Sequence, residues 1–434
     1  MSELGAVSTP TPGTTAKVGF GVAFWVLAAY FFFEYVRPQD RIPVIGSLKI
    51  GLLLSCWSIY LWYTRADKSA LRERVIRLYI AFLVVIAINI PFATNTHWAY
   101  KSTELLTLFL LAGTLPAAAI LAEPAKLQRF FQLWIVFHVL IALSSMQRGG
   151  RGSGAFLADE NDLALALGMA LPYAYFMAQA PNVKLKGKVL YLTAAGLLTL
   201  GVIMTASRGG FVGLVGCLGA ILFLAKHKIR NLLLIAVVAL GVLAFVPSSY
   251  YAEIESINDP TDSTRKDRLY MWERAWEMYL DNPVIGVGAG NYPWRVHEYQ
   301  IRTPDFDPRT TRLRGGRVVH SLYFTLLAEL GTAGTVLYLA MLIIVVTRLF
   351  RVIKAKSDNP AVQDTLKHCS LMARAMLASL ATFLLSGAFI TVLYYPHFWY
   401  LIGFVLALSY CTTRAMQGAA SDAHSANVVP ETAK

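Results

Sequence analysis

The chain has 434 residues, 56% of them hydrophobic and 15% charged, with a mean hydropathy of +0.51. That apolarity excludes a soluble globular protein of this size. The formal charge of +13 is dispersed over short loops, so it gives no nucleic-acid signal.

Twelve apolar runs follow one another, near 18–37, 48–64, 73–92, 103–122, 127–146, 161–180, 187–206, 209–226, 229–247, 318–350, 368–394 and 396–413. Each reaches or approaches the roughly 20 residues that a helix needs to cross a bilayer core. The run at 318–350 is too long for one crossing and is expected to break between Gly331 and Gly334. These runs predict an all-α polytopic membrane protein with about twelve transmembrane helices. The first run follows a Ser/Thr/Pro/Gly-rich start and precedes no small-residue cleavage site, so it reads as a retained span. Cys56, Cys217, Cys369 and Cys411 fall in or beside spans, which argues against a disulfide framework and a cysteine zinc site.

Basic residues occupy alternate connections: Arg65 to Arg74, Lys126 and Arg129, Lys184 to Lys188, Lys226 to Arg230, and Arg348 to Lys367. Short Lys/Arg-rich loops stay cytoplasmic. The pattern predicts cytoplasmic tails at 1–17 and 414–434, spans at 18–247 and 318–413, and one large outward loop at 248–317. The tail from about Gln417 is polar and rich in small residues, and is expected to be disordered.

The outward loop holds nine arginines, from Arg265 to Arg317, against one lysine, Lys266. Arginine's planar fork grips phosphate oxygens in pairs and keeps its charge. The ordinary alternative is pairing with the loop's eleven Asp and Glu residues. Leu269, Trp272, Trp276 and Tyr279-Leu280 recur at helical spacing, predicting an amphipathic helix capped by Thr264 or Asp267 and ended before Pro283. It would lie at the membrane interface or against the bundle, with Arg268 near its start.

Five other places carry chemistry. Ser207-Arg208-Gly209-Gly210 interrupts an apolar stretch, where the arginine either binds something or meets lipid headgroups. Arg148, Arg151 and their glycines suit an anion-binding nest, or a flexible connection leading to a helix cap at Asn161 or Asp162. His320-Ser321 opens an apolar segment after an arginine-rich stretch, with His97, His297 and His397 as competitors. Asp305-Phe306-Asp307 suits a divalent cation or salt bridges. Tyr394, Tyr395, Phe398 and Trp399 suit sugar stacking or an interfacial belt.

His320-Ser321, nine residues, then Gly331-x-x-Gly334-Thr335 resembles the signature of the bacterial lipopolysaccharide O-antigen ligases. Ser207-Arg208-Gly209-Gly210 resembles the same superfamily, as does Asp267-Arg268 with Trp272, Pro283, Gly286 and Gly288. The resemblance implies a metal-independent, inverting glycosyltransferase of the helical membrane (GT-C-like) type, without cofactor. It would move a preassembled glycan from undecaprenyl diphosphate to lipid A–core at the periplasmic face of the bacterial inner membrane. On this reading His320 is the base or acceptor-orienting group, and Arg208 and Arg268 hold the diphosphate. Arg265, Arg148, Arg151, Ser207, Gly209 and Ser321 would assist substrate binding. O-antigen polymerases and protein O-oligosaccharyltransferases share these motifs, and Tyr35-Val36-Arg37-Pro38-Gln39 is similar to a subgroup associated with exopolysaccharide loci. A transporter or flippase of lipid-linked glycan is the rival from another class; it would want charge deep in the membrane, where these spans have little.

Overall fold

A computed structural model describes residues 20–154, 156–243, 263–303, 306–307 and 315–427. Among them every regular element is helical. In chain order the helices are α1 (Val22–Tyr35), α2 (Pro43–Ser47), α3 (Ile50–Arg65), α4 (Arg74–Asn89), α5 (Thr96–Leu108), α6 (Leu115–Ile120), α7 (Pro124–Met146) and α8 (Glu160–Met177). They continue as α9 (Leu185–Met204), α10 (Arg208–Leu224), α11 (Lys228–Leu243), α12 (Ser263–Asp281), α13 (Tyr292–Gln300), α14 (Leu322–Lys354), α15 (Pro360–Gly387) and α16 (Pro396–Asn427).

Each predicted apolar run coincides with a helix, the fourth with α5 and α6 joined through a π-helical turn, Phe109–Thr114. Gly113 in that turn is required by packing, since a Cβ there would lie 2.2 Å from the Tyr400 ring. Among the described residues, six segments are long and apolar enough to cross a membrane: Arg74–Phe92, Thr96–Ile120, Pro124–Met146, Leu185–Met204, Leu322–Lys354 and Val362–Gly387. The shorter Val22–Tyr35 and Arg208–Leu224 are also apolar. The chain is a polytopic helical membrane protein.

The centre of the bundle is α8, packed by α7, α9, α10 and α15. Its sequence is apolar all round, and a helix without a polar face is stable only when surrounded. Every residue from Asp162 through Met177 is accordingly buried. Aromatic rings lock α1 to α7 and α16: Phe31 meets Phe130, Trp134, Tyr400 and Phe404 edge-on or tilted.

Two expectations about helix ends are corrected. The final helix runs to Asn427, through the stretch from Gln417 that was expected to be disordered, because Ala419, Ala420, Ala423 and Ala426 favour helix. On α12, Met271, Ala275 and Met278 form the packed stripe, joining Tyr292, Val296, Tyr299, Val319 and Ala328 in a small core. Of the apolar residues expected to meet either the membrane interface or the bundle, Trp272 packs on the bundle, while Leu269, Trp276 and Leu280 stay exposed. The helix therefore has two apolar faces, one against α13 and α14 and one open. Asp267 lies inside α12 and is not its cap; the Thr264 side chain lies outside the described residues.

The expected break in the long run occurs at Gly331, whose φ of 59° and ψ of −160° interrupt α14. The chain after α12 takes over the freed backbone groups. Val287 and Gly288 N–H donate to the Ala328 and Glu329 carbonyls, and Thr332 and Ala333 N–H to those of Pro283 and Val284. Backbone contact this close needs glycine. A Cβ on Gly331 would lie 2.6 Å from the Val284 carbonyl carbon, and one on Gly286 2.3 Å from that of Glu329. Glycine at 331 is thus required by this insertion of loop backbone.

Candidate active site

Glu34 in the last turn of α1 and Arg37 just after it, Trp98 and Lys101 on α5, Asp159 and Asp162 at the start of α8, the 290–294 segment, His320, and Thr391, Tyr394 and Tyr395 before α16 converge on one cavity of about 770 Å³. Its walls come from the predicted outward connections. The connection between α9 and α10 joins indirectly, because the Ser207 hydroxyl donates to Asn161 Oδ1 at 2.6 Å.

His320 is the one histidine among the described lining residues, and its side chain is exposed to this space. Its backbone is left-handed, with φ 54°, a conformation that costs an L-residue roughly 1–2 kcal/mol. Neighbours hold it there. Thr391 Oγ1 accepts from the His320 N–H at 2.9 Å, and Ser321 caps α14 by accepting from Phe324 N–H. Crowding by protein removes water from the imidazole and, with the Arg268 charge, pulls its pKa below the ordinary value; Asp159 opposes this and Arg317 adds to it. The ring is therefore neutral at neutral pH, able to accept a proton.

Trp272 fixes α12 against this segment: its indole N–H donates to the Val319 carbonyl at 3.1 Å, and its ring stacks on Phe324. Asp267 pairs with Arg317 at 3.1 Å. Together these bring Arg268 into electrostatic reach of His320. Several other loop arginines serve structure, as the pairing alternative holds. Arg274, only 4% exposed, pairs with Glu273 and Glu277; Arg295 pairs with Glu298, and Arg302 with Asp281. Arg265 is exposed on the first turn of α12.

Ser207 caps α10, accepting from Gly210 N–H at 2.8 Å, and half-buried Arg208 is the first helical residue. Gly209 and Gly210 allow the closeness to α8: a Cβ on Gly210 would lie 2.4 Å from Ala164 Cβ. The cap of α8 is Asp159, which accepts from Asn161 N–H at 2.8 Å, and not Asn161 or Asp162. Asn161 instead receives Ser207, and Asp162 receives the Tyr395 hydroxyl at 2.9 Å. Arg148 reaches Ser153 at 2.7 Å and Arg151 reaches Glu160 at 3.5 Å. Neither arginine is part of the cavity wall.

The sequence did not single out Glu329. It is 3% exposed yet lines the cavity, accepting from Gly290 N–H at 2.8 Å, Tyr292 N–H at 3.0 Å and the Tyr394 hydroxyl at 2.6 Å. It ties the loop wall to α14 and to the segment before α16. Tyr394 and Tyr395 thus hold carboxylates, while Phe398 and Trp399 are core residues, neither sugar platform nor belt. Among the competitors, His397 is buried against the Tyr35 hydroxyl, and His97 and His297 stand off the wall. Asp305, Arg309, Arg312 and Arg314 lie outside the described residues, and among those described no three His, Cys, Asp or Glu are grouped to hold a metal ion.

Residues 193–339 match the family described as O-antigen ligase. The match takes in Ser207 to Gly210, Arg265, Arg268, His320 and Gly331. Among curated proteins, an uncharacterised protein of Haemophilus influenzae is 28% identical over 166 residues, covering 35% of this chain and 40% of the relative. The teichuronic acid biosynthesis protein TuaE of Bacillus subtilis is 21% identical over 247 residues, covering 53% of this chain and 46% of the relative. The chain thus spans less than half the length of either relative.

Proposed function

We propose that this chain, with its O-antigen ligase segment, transfers a preassembled glycan from undecaprenyl diphosphate to a sugar of lipid A–core. The reaction takes place at the periplasmic face of the inner membrane. The observation that carries the proposal is the cavity in which neutral His320 stands near Arg268, under the corner built by Ser207 and Asn161.

In the reaction His320 accepts the proton of the acceptor hydroxyl as its oxygen attacks the anomeric carbon. The bond from that carbon to the diphosphate oxygen breaks, and its electron pair leaves with the diphosphate. Attack from the opposite side inverts the anomeric centre. Arg208 and Arg268 stabilise the departing charge, with Arg265, Arg148 and Arg151 on the donor's approach; fixed guanidiniums provide this without a metal. Gly209 leaves room for the donor at the helix start, and Ser321 keeps His320 oriented. Membrane lipid surrounds the site and delivers the donor sideways.

The similarity to the teichuronic acid protein supports a second reading, in which the acceptor is another glycan and the chain is a polymerase. The glycans of a strain lacking this protein separate the two. A missing ligase leaves full-length chains on the lipid carrier; a missing polymerase leaves single repeat units, which would reject ligation.

A further inference from the structure

A second cavity, of about 580 Å³, opens at the other ends of α8 and α14, away from His320. It is lined by the end of α8, the starts of α9, α11 and α15, and the segments after α10 and α14. Lys188, Lys226, Arg230, Lys356, Lys367 and Arg374 all reach it, and none of its described lining residues is Asp or Glu. The Asp364 carboxylate that pairs with Lys367 is not part of the wall.

Bundle orientation explains lysines on short connections. It does not explain a buried donor left unused. Asn231 is 1% exposed, and its side-chain Nδ2 has no hydrogen-bond partner among the described residues. Arg374 donates through Nη1 to the Leu224 carbonyl at the end of α10, while its buried Nε has no partner there either. Such donors are costly to leave unmade. Six cations on a wall whose described residues include no Asp or Glu, with the buried donors of Asn231 and Arg374 that lack partners among the described residues, define an occupant that accepts hydrogen bonds and carries negative charge. Leu192, Leu224, Leu366 and Leu371 share the wall, so the occupant also has an apolar part.

We infer that this cavity binds the phosphate group of an anionic membrane lipid, at a site separate from the transfer site. Basic pockets between membrane helices hold such headgroups by this chemistry. The inference does not depend on the glycan-transfer reading.

Thermal unfolding of the purified full chain tests it, in phosphatidylcholine micelles with or without phosphatidylglycerol, and separately with inorganic phosphate. Ligand that binds only the folded state raises the melting temperature. Phosphatidylglycerol should raise it in the wild type. The pair Lys226→Gln with Arg230→Gln should weaken the apparent affinity about tenfold or more. Asn231→Ala, which leaves the charge unchanged, should weaken it in the same direction and serves if the double variant does not fold. Lys184→Gln with Lys186→Gln removes equal charge from exposed positions off the wall and should leave the effect intact. The same site-dependent rise with inorganic phosphate alone would keep the site and make its ligand a free anion. No rise with either probe, or equal loss in both lysine-bearing pairs, would overturn the inference.

Discussion

Glu329→Ala separates a residue that builds the site from one that merely sits near it. The substitution removes the acceptor for three donors, and they do not suffer alike. Gly290 N–H already lies 3.3 Å from the Tyr394 hydroxyl and can turn to it. Tyr394 itself faces the cavity, where water is available. Tyr292 is fully buried, and its N–H donates to Glu329 at 3.0 Å, away from the solvent that could replace the carboxylate. An unsatisfied buried donor costs about 1–3 kcal/mol and a lost bond to a charged group about 1.5–3. Allowing for the two donors with alternatives, Glu329→Ala should destabilise by about 3 kcal/mol. Glu329→Gln keeps one carbonyl oxygen for Tyr292 and should cost roughly half as much. The assay is thermal unfolding followed as the monodisperse fraction, with donor affinity measured below the transition. Both quantities should fall in the order wild type, Gln, Ala. An alanine variant that melts with the wild type, or a glutamine variant that is the worse of the two, would refute the anchoring role.

Other outcomes follow from the same geometry. Transfer should show an acid limb with its midpoint below the ordinary histidine value of about 6.5, because a lowered pKa keeps His320 neutral, and therefore competent, to lower pH. Arg268→Gln removes a charge that lowers this pKa, so the limb of its residual activity should move to higher pH; Asp159→Asn removes one that raises it and should move the limb lower. Gly331→Ala meets both a glycine-only backbone conformation and a carbonyl 2.6 Å from its Cβ, and should lower stability by at least about 1–3 kcal/mol in the same unfolding assay. Arg208→Lys and Arg268→Lys should each leave transfer well below wild type in a single-turnover assay, since a point charge does not reproduce a paired grip on phosphate oxygens.

The helices were legible because apolar run length is a local property, and so was the break at Gly331, where a long run met two glycines. His320 was legible for its position at the head of such a run. Glu329 was not: inside an apolar segment it reads only as an unfavourable charge, and its partners are backbone N–H groups about forty positions earlier. The cap of α8 reads as Asn161 or Asp162, since the run from Asp159 to Asp162 offers a cap at every position; Asp159 takes that role while Ser207 engages Asn161. On α12 the tryptophans drew attention to one stripe, while the smaller Met271, Ala275 and Met278 make the core. Periodicity identifies an apolar face but not which of two faces finds a partner.

Proton acceptance by His320 is the central step of the proposed glycan transfer. Purified wild type and His320→Ala, reconstituted with undecaprenyl-diphosphate-linked glycan and lipid A–core, provide the measurement, with donor affinity determined separately and EDTA present in one arm. The wild type should transfer glycan, undiminished by EDTA, and the variant should be slower by about 10²–10⁴-fold, with donor binding retained. Near-normal transfer by a folded His320→Ala protein would contradict that step.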